Sequence, residues 1–331
     1  MRARRLWTVL SAALALLASF PGRAQTEVPF PTRPVRFLIP YAPGGATDIV
    51  ARLVGVQLGE LWGQAVIVEN RTGASGNICV EATAHAAPDG YTMMVGNVST
   101  NAINPIIFEK TLGVHPLKDL VPVAMVVEIP HIVAVSPKFP ADTLQQLIDY
   151  ARAHPDKLNY GSAGIGSYPH LDMANFAQHA GFRAVHVPYK GGAAPMLQAI
   201  ATDEVQMMFV NLASSLPFVR SGRMKVLATT WYERLKELPG VPTLQELGYP
   251  DIGTNAWNGV FAPAGTPRPI LERVQKAVYQ VLDRPDIRDN YARQMMMVPR
   301  HRTLDELAEY VNGEAAKWQR IIRENHIEVE Q

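Results

Sequence analysis

Four short stretches of this 331-residue chain could do chemistry without any catalytic side chain: Gly44-Gly45, Gly73-Ala74-Ser75-Gly76, Gly161 through Ser167, and Gly191-Gly192. Each stands where an apolar, β-type run gives way to a helical pattern. Such a junction exposes the first unpaired backbone N–H groups of a helix at its positive dipole end, and glycine lets a ligand approach that backbone closely. The chemistry is anion capture without lysine. In open α/β sheets the ligand crevice lies beyond the carboxyl ends of the strands, which is where all four loops fall. Any one of these glycines could serve a tight turn and nothing more. Their joint occurrence points further: two loops from each of two lobes would hold a molecule with one or two carboxylates between them.

Side chains near these loops have narrower options. Asp48 follows Thr47 in the first turn of the first helix, where it complements the dipole or caps an N–H, worth roughly 0.5 to 2 kcal/mol. It could also bind a bridging water or a ligand ammonium; organising the loop is the role expected here. His170 opens a helix beside the Ser167 turn, with capping or packing expected ahead of lining a site. Tyr41 and Trp257 could shape a pocket, and core packing serves Trp257 equally well.

Enzymatic readings find little to hold. The sequence contains no G-x-S-x-G elbow, no G-x-x-x-x-G-K-[ST] loop and no H-E-x-x-H pair. Gly164-x-Gly166 lacks the third glycine of a dinucleotide fingerprint, because position 169 is proline. The nine histidines are scattered, and the pairs His170 with His179 and His179 with His186 lack metal-ligand spacing. No metal, cofactor or catalytic residue is expected.

The elements that must position the loops alternate in a way that predicts an α/β fold of mostly parallel sheets flanked by helices. Val35 to Tyr41 reads as a buried strand, and Ile49, Val50, Leu53, Val54, Leu58, Leu61 and Trp62 as one helical face. Strands follow at Ala65 to Glu69 and Thr92 to Gly96. A long β-like run from Met125 to Val135 is broken by Pro130. Further strands are predicted at Leu158 to Gly161, Ala184 to Tyr189, Val205 to Val210 and Lys225 to Thr229, with a helix after Asp142-Thr143. The tail carries a strand-like stretch, Gly259 to Ala262, then two helices, the second opened by the capping box Thr303-x-x-Glu306. The tail should pack back on the first lobe. Lobe 1 is thus expected at residues 25–126 with 229–331 and lobe 2 at 127–228, joined by a hinge of two crossings around a cleft.

Compartment and partners are bounded by the chain's beginning and its composition. Arg2, Arg4 and Arg5 precede an apolar run from Leu6 to Phe20 and the small-residue pattern Gly22-Arg23-Ala24, which together predict a secretory signal peptide over residues 1–24. Its apolar core is short of the ~20 residues that a spanning helix needs. Removing it deletes four arginines and no acids, taking the formal net charge from +1 to −3. That is no nucleic-acid footprint. Cys79 is the single cysteine, so no internal disulfide can form.

Longer motifs add a resemblance. Tyr41-x-Pro43-Gly44-Gly45-x-x-Asp48 with Ala51-Arg52 is followed by Glu69-Asn70-Arg71-x-Gly73-Ala74-x-Gly76 and by Pro88-Asp89-Gly90-Tyr91-Thr92. Next come Gly161-Ser162-x-Gly164-x-Gly166-Ser167 with His170-Leu171, and His186-Val187-Pro188-Tyr189-Lys190-Gly191. Val241-Pro242-Thr243-x-x-Glu246-x-Gly248 and Phe261-Ala262-Pro263-x-Gly265-Thr266-Pro267 complete the order. Together they resemble the extracytoplasmic solute receptors of tripartite tricarboxylate transporters, the Bug receptors, over essentially the whole mature chain. The resemblance implies a type II periplasmic-binding-protein fold with Venus-flytrap closure. It implies capture of a small organic carboxylate by backbone groups and ordered waters, and delivery to the membrane permease subunits of such a transporter.

Carried over residue by residue, the ligand-binding set is Tyr41, Gly44, Gly45, Thr47 and Asp48 on one side and Ser162, Ala163, Gly164, Ile165, Gly166 and Ser167 on the other, with Asn211. An acidic residue is frequent in the family where Val210 and Ala174 stand, and an aspartate where Gln206 stands. Val210 thus points to an altered ligand, and Ala174 to a surface change. The expected product is a periplasmic monomer. One alternative makes its partner a sensor kinase, so that binding signals; another is a secreted hydrolase or lyase using the cleft.

Overall fold

The computed structural model describes residues 29–189 and 193–325. The predicted signal peptide and the Gly191-Gly192 loop lie outside the described residues. From Arg33 onward the described residues form ten strands: β1 (Val35–Ile39), β2 (Val66–Asn70), β3 (Thr92–Asn97), β4 (Leu120–Ile129), β5 (His131–Val135), β6 (Asn159–Ser162), β7 (Val185–Pro188), β8 (Met207–Asn211), β9 (Lys225–Thr229) and β10 (Ala256–Pro263). They build two five-stranded sheets, ordered β2-β1-β3-β10-β4 and β7-β6-β8-β5-β9. In the first, β2, β1 and β3 run parallel while β10 is antiparallel to both β3 and β4. In the second, β7, β6 and β8 run parallel and β5 is antiparallel to β8 and β9. Each sheet is mixed in the same way, with one reversed strand, and with its flanking helices each makes a lobe.

Between β4 and β5 stands only Pro130. It has no N–H to donate to a ladder, and its carbonyl accepts from the Leu212 N–H at 2.9 Å. The run from Met125 to Val135 is therefore two strands in two sheets, and the first crossing is a single residue. The return crossing is longer. Thr243 bridges Thr229 in parallel, and the Leu244 N–H donates to the Thr229 carbonyl at 2.8 Å. Leu244 and Ile252 share a core with Phe176 and Phe209. Residues 230–252 thus pack with the second sheet, and the chain regains the first at Ala256.

The core explains the helices. The Leu304–Glu324 helix lays Leu307, Val311 and Trp318 against Met125, Trp257 and Phe261 of the first sheet, so the tail packs there. Its Thr303–Glu306 capping box has both bonds, and Thr143 with Gln146 forms a second at the Leu144–Ala153 helix. In the Ala46–Trp62 helix the buried stripe is Val50, Ala51, Val54 and Leu58. Ile49 and Leu61, expected on that face, are exposed. No described helix is long and apolar enough to cross a membrane.

Candidate functional site

The first loop leaves β1 at Ile39 and turns into the Ala46–Trp62 helix. Gly44 sits at φ +88°, a conformation L side chains rarely adopt. Gly45 is the N-cap and supplies no side chain to the helix start. Among the described residues the N–H groups of Gly45, Ala46 and Thr47 have no hydrogen-bond partner, whereas that of Ile49 reaches the Gly45 carbonyl. These donors stand at the positive end of the helix dipole.

Asp48 is spent on holding that loop. It is 4% exposed and accepts from the Gly44 N–H (3.0 Å), Arg52 Nη2 (2.8 Å) and Asn70 Nδ2 (2.9 Å). Asn70 Nδ2 also donates to the Tyr41 carbonyl at 2.8 Å. Burial alone would raise the Asp48 carboxyl; the Arg52, Gly44 and Asn70 hydrogen bonds outweigh it and hold the group below its ordinary range. Of the roles open to Asp48, the geometry selects the loop-organising one. Thr47 Oγ1 accepts from Asn258 on β10. The Tyr41 hydroxyl donates to Asn97 Oδ1 at 3.2 Å, and burial pushes its phenol up to about 12.

In the second loop, alternate N–H groups face inward. The Gly164 N–H donates to Ser162 Oγ (3.1 Å), the Gly166 N–H to His170 Nδ1 (3.1 Å), and the Ser167 N–H to the Gly164 carbonyl (3.2 Å). Those of Ala163 and Ile165 have no partner among the described residues. Gly164 and Gly166 adopt φ +123° and +76°, which turns successive N–H groups to opposite sides. Behind the loop, Ser162 Oγ lies 2.6 Å from His186 Nε2, and the His186 ring stacks on His170 at 3.9 Å and on Tyr160 at 4.9 Å. A serine that close to an imidazole resembles a nucleophile and its base. Ser162 is fully buried and also bonds the Gly164 carbonyl at 3.0 Å, so this contact serves the loop.

Both rings are held neutral. Burial, then the neighbouring His186, lowers His170 to about 3; burial lowers His186 to about 4. Such a shift contributes stability that is full above the unfolded value of 6.5 and is lost as pH falls through the folded values. Urea unfolding at pH 7 and pH 4 should therefore show a loss on the order of 3 kcal/mol. The loss should shrink in His170→Asn, and equal losses in both proteins would contradict the assignment.

Several contacts bring the lobes together beside the loops. The Tyr168–Ala180 helix, which follows the second loop, places Leu171 in the core of the first sheet. Gly166 faces Ile107, so closely that a Cβ there would lie 2.6 Å from Ile107 Cδ1. Tyr168 stacks on His131 at 4.5 Å, and Asn211 caps the Leu212–Arg220 helix through the Ser214 N–H at 2.7 Å. Asp172 joins His131 Nδ1 (3.3 Å) to Thr254 Oγ1 (3.0 Å), linking both crossings to that helix. Asn97, His131, Asp172, His186 and Asn258 were absent from the sequence-based set.

Other expectations fall elsewhere. Gly76 packs against Thr100, Pro40 and Tyr41, so its missing side chain serves close packing behind Tyr41. Val210 points into the core with Ile132, Met196 and Leu216, so its identity fills the core of the second lobe; it presents no group to the loops. Trp257 is fully buried. A cavity of about 170 Å³ lies beside the return crossing, lined by Thr230, Tyr249, Thr254 and Glu314 among others, away from both loops. Among the described residues no cluster of His, Cys, Asp and Glu could hold a metal.

Comparison with known proteins shows the family. Residues 50–327 match the family described as TctC, tripartite tricarboxylate transporter family receptor. Protein BugT of Bordetella pertussis is 31% identical over 316 residues, 94% of this chain and 96% of its own. MatC from Rhodopseudomonas palustris, solved with bound malate, is 34% identical with a TM-score of 0.79, covering 88% of this chain and 100% of its own. A second protein of that organism, Rpa4515, solved with adipate, is 32% identical with a TM-score of 0.83, covering 90% and 99%. The chain belongs to the tripartite tricarboxylate transporter receptor family and has its two-lobed periplasmic-binding-protein fold.

Proposed function

We propose that the chain is a monomeric periplasmic receptor that holds a small organic carboxylate between the Tyr41–Asp48 and Ser162–Ser167 loops and delivers it to a tripartite membrane permease. The observation that carries this reading is the set of N–H groups without a partner among the described residues: Gly45, Ala46 and Thr47 on one lobe, Ala163 and Ile165 on the other. Five donors beside a helix dipole suit carboxylate oxygens. The malate and adipate in the two solved relatives support the ligand class. Tyr41 and Asn211 close the sides of the site. The lobes divide at Pro130 and at Thr254-Asn255, and closing about these crossings gives a permease a form to distinguish from the open one.

A thermal-shift screen of mono-, di- and tricarboxylates, acidic amino acids and aromatic acids on refolded protein tests the reading. A ligand at 100 times its Kd should add about 2.7 kcal/mol; silence across the panel contradicts it. Gly45→Val sharpens the test. Gly45 has φ −77°, and a Cβ there would meet nothing nearer than the Ala42 carbonyl oxygen at 3.9 Å, so the fold accepts a side chain there. Calorimetry should find a melting temperature lowered by no more than a few degrees, as loss of a glycine N-cap implies, and about 10-fold or greater loss of affinity, from a side chain set over the free N–H groups.

A further inference from the structure

The second loop has a support that carboxylate capture alone does not require. Two imidazoles, 16 residues apart in the chain and stacked at 3.9 Å with an interplanar angle of 11°, each bond one residue of it. His170 Nδ1 accepts the Gly166 N–H, and His186 Nε2 meets Ser162 Oγ. An imidazole nitrogen that accepts an N–H must keep its lone pair, so His170 carries its proton on Nε2 and is neutral. A second proton would have to sit on Nδ1, where it faces the Gly166 N–H.

We propose that His170 and His186 are positioning residues for the second anion loop: as two neutral stacked rings they hold Gly166 and Ser162 so that the Ala163 and Ile165 N–H groups stay free for the ligand, and acid releases the ligand by removing this support. The inference rests on the carboxylate reading of the site. Protonating His170 turns an acceptor into a donor opposite another donor, and protonating both rings sets two buried cations face to face. The groups around the stack cannot compensate. Tyr160 lies on its far side, and Asp172, one half-turn along the same helix, is committed to His131 and Thr254. Burial is the main cause that holds each ring neutral, and no carboxylate opposes it.

Two variants separate the roles. His170→Phe keeps a flat ring and loses the acceptor; His170→Asn restores an acceptor that cannot titrate. With adipate and malate as probes, affinity of the unaltered protein should be flat from pH 8 to 6 and fall as pH drops below about 4, more steeply than protonation of the acid itself accounts for, within the range where its fluorescence reports a folded protein. His170→Phe should bind about 10-fold more weakly at pH 7. His170→Asn should bind nearly as well as the unaltered protein at pH 7, with a flatter acid limb. A readout that needs no ligand is hydrogen exchange at the Gly166 amide, which should be protected in the unaltered protein and in His170→Asn and unprotected in His170→Phe. Equal Gly166 protection in all three proteins, or identical acid limbs for the unaltered protein and His170→Asn, would overturn the proposal. If the unaltered protein binds neither probe at pH 7, silence across the wider carboxylate panel would remove the carboxylate reading, and Gly166 exchange alone would decide the positioning role.

Discussion

Replacing Asp48 by alanine is expected to cost about 2 kcal/mol of stability and at least about 10-fold in carboxylate affinity, through the turn that its carboxylate holds. Its carboxylate is the common acceptor for the Gly44 N–H, the Arg52 guanidinium and the Asn70 amide. Removing it leaves the Asn70 amide short of an acceptor and frees the Gly44 N–H, which loosens the turn that presents Gly45 to Thr47. Arg52 is half exposed and can regain water, so the ion pair itself contributes little. Asp48→Asn should fall between the two proteins, since it keeps an acceptor and loses the charge. Because the carboxyl is held below its ordinary range, this contribution is full above the unfolded value of 3.8 and is lost as pH falls below it. Urea melts at pH 7 and pH 3 should show the Asp48→Ala penalty shrinking in acid; a penalty that stays constant would mean the carboxylate does not organise the loop as a charge.

Legibility followed the length scale of each feature. The Gly44-Gly45 turn, the Gly161–Ser167 turn and the Thr303 capping box are local: a few residues carry both the signal and the structure. The loop role of Asp48 could be ranked first because its helix position was readable, yet Asn70, a separation of 22 residues away, supplies one of its bonds. His131, Asp172 and Thr254 meet across separations of 41 and 82, and Asn258 reaches Thr47 across 211. No spacing rule connects such residues. Pro130 was visible as a break, but the apolar runs on its two sides look alike, and only pairing with β10 or with β8 assigns them to different sheets. Val210 misled for a similar reason. Its place beside Asn211 suggested the site, while alternation along β8 sends its side chain into the core.

Gly166→Ala is the second large effect expected. The alanine would have to adopt φ +76°, costing about 1 to 2 kcal/mol, and its Cβ would meet Ile107 Cδ1 at 2.6 Å. Ile107 is buried, so its terminal methyl can yield only by disturbing the first core. The two lobes meet at this contact beside the second loop, so the clash displaces the loop and affinity should fall about 10- to 100-fold. Ile107→Val removes the clashing methyl while leaving the backbone strain. In the double variant Gly166→Ala/Ile107→Val, part of the lost affinity should return; if none does, the contact between Gly166 and Ile107 does not govern closure.

The most direct test of the account is a titration of ¹⁵N-labelled protein with adipate and with malate, following the backbone amides. Saturable shifts that are largest at Gly45, Ala46, Thr47, Ala163 and Ile165 are the predicted result. Saturable shifts confined to the Thr230, Tyr249 and Thr254 cavity, with those five amides unmoved, would contradict it.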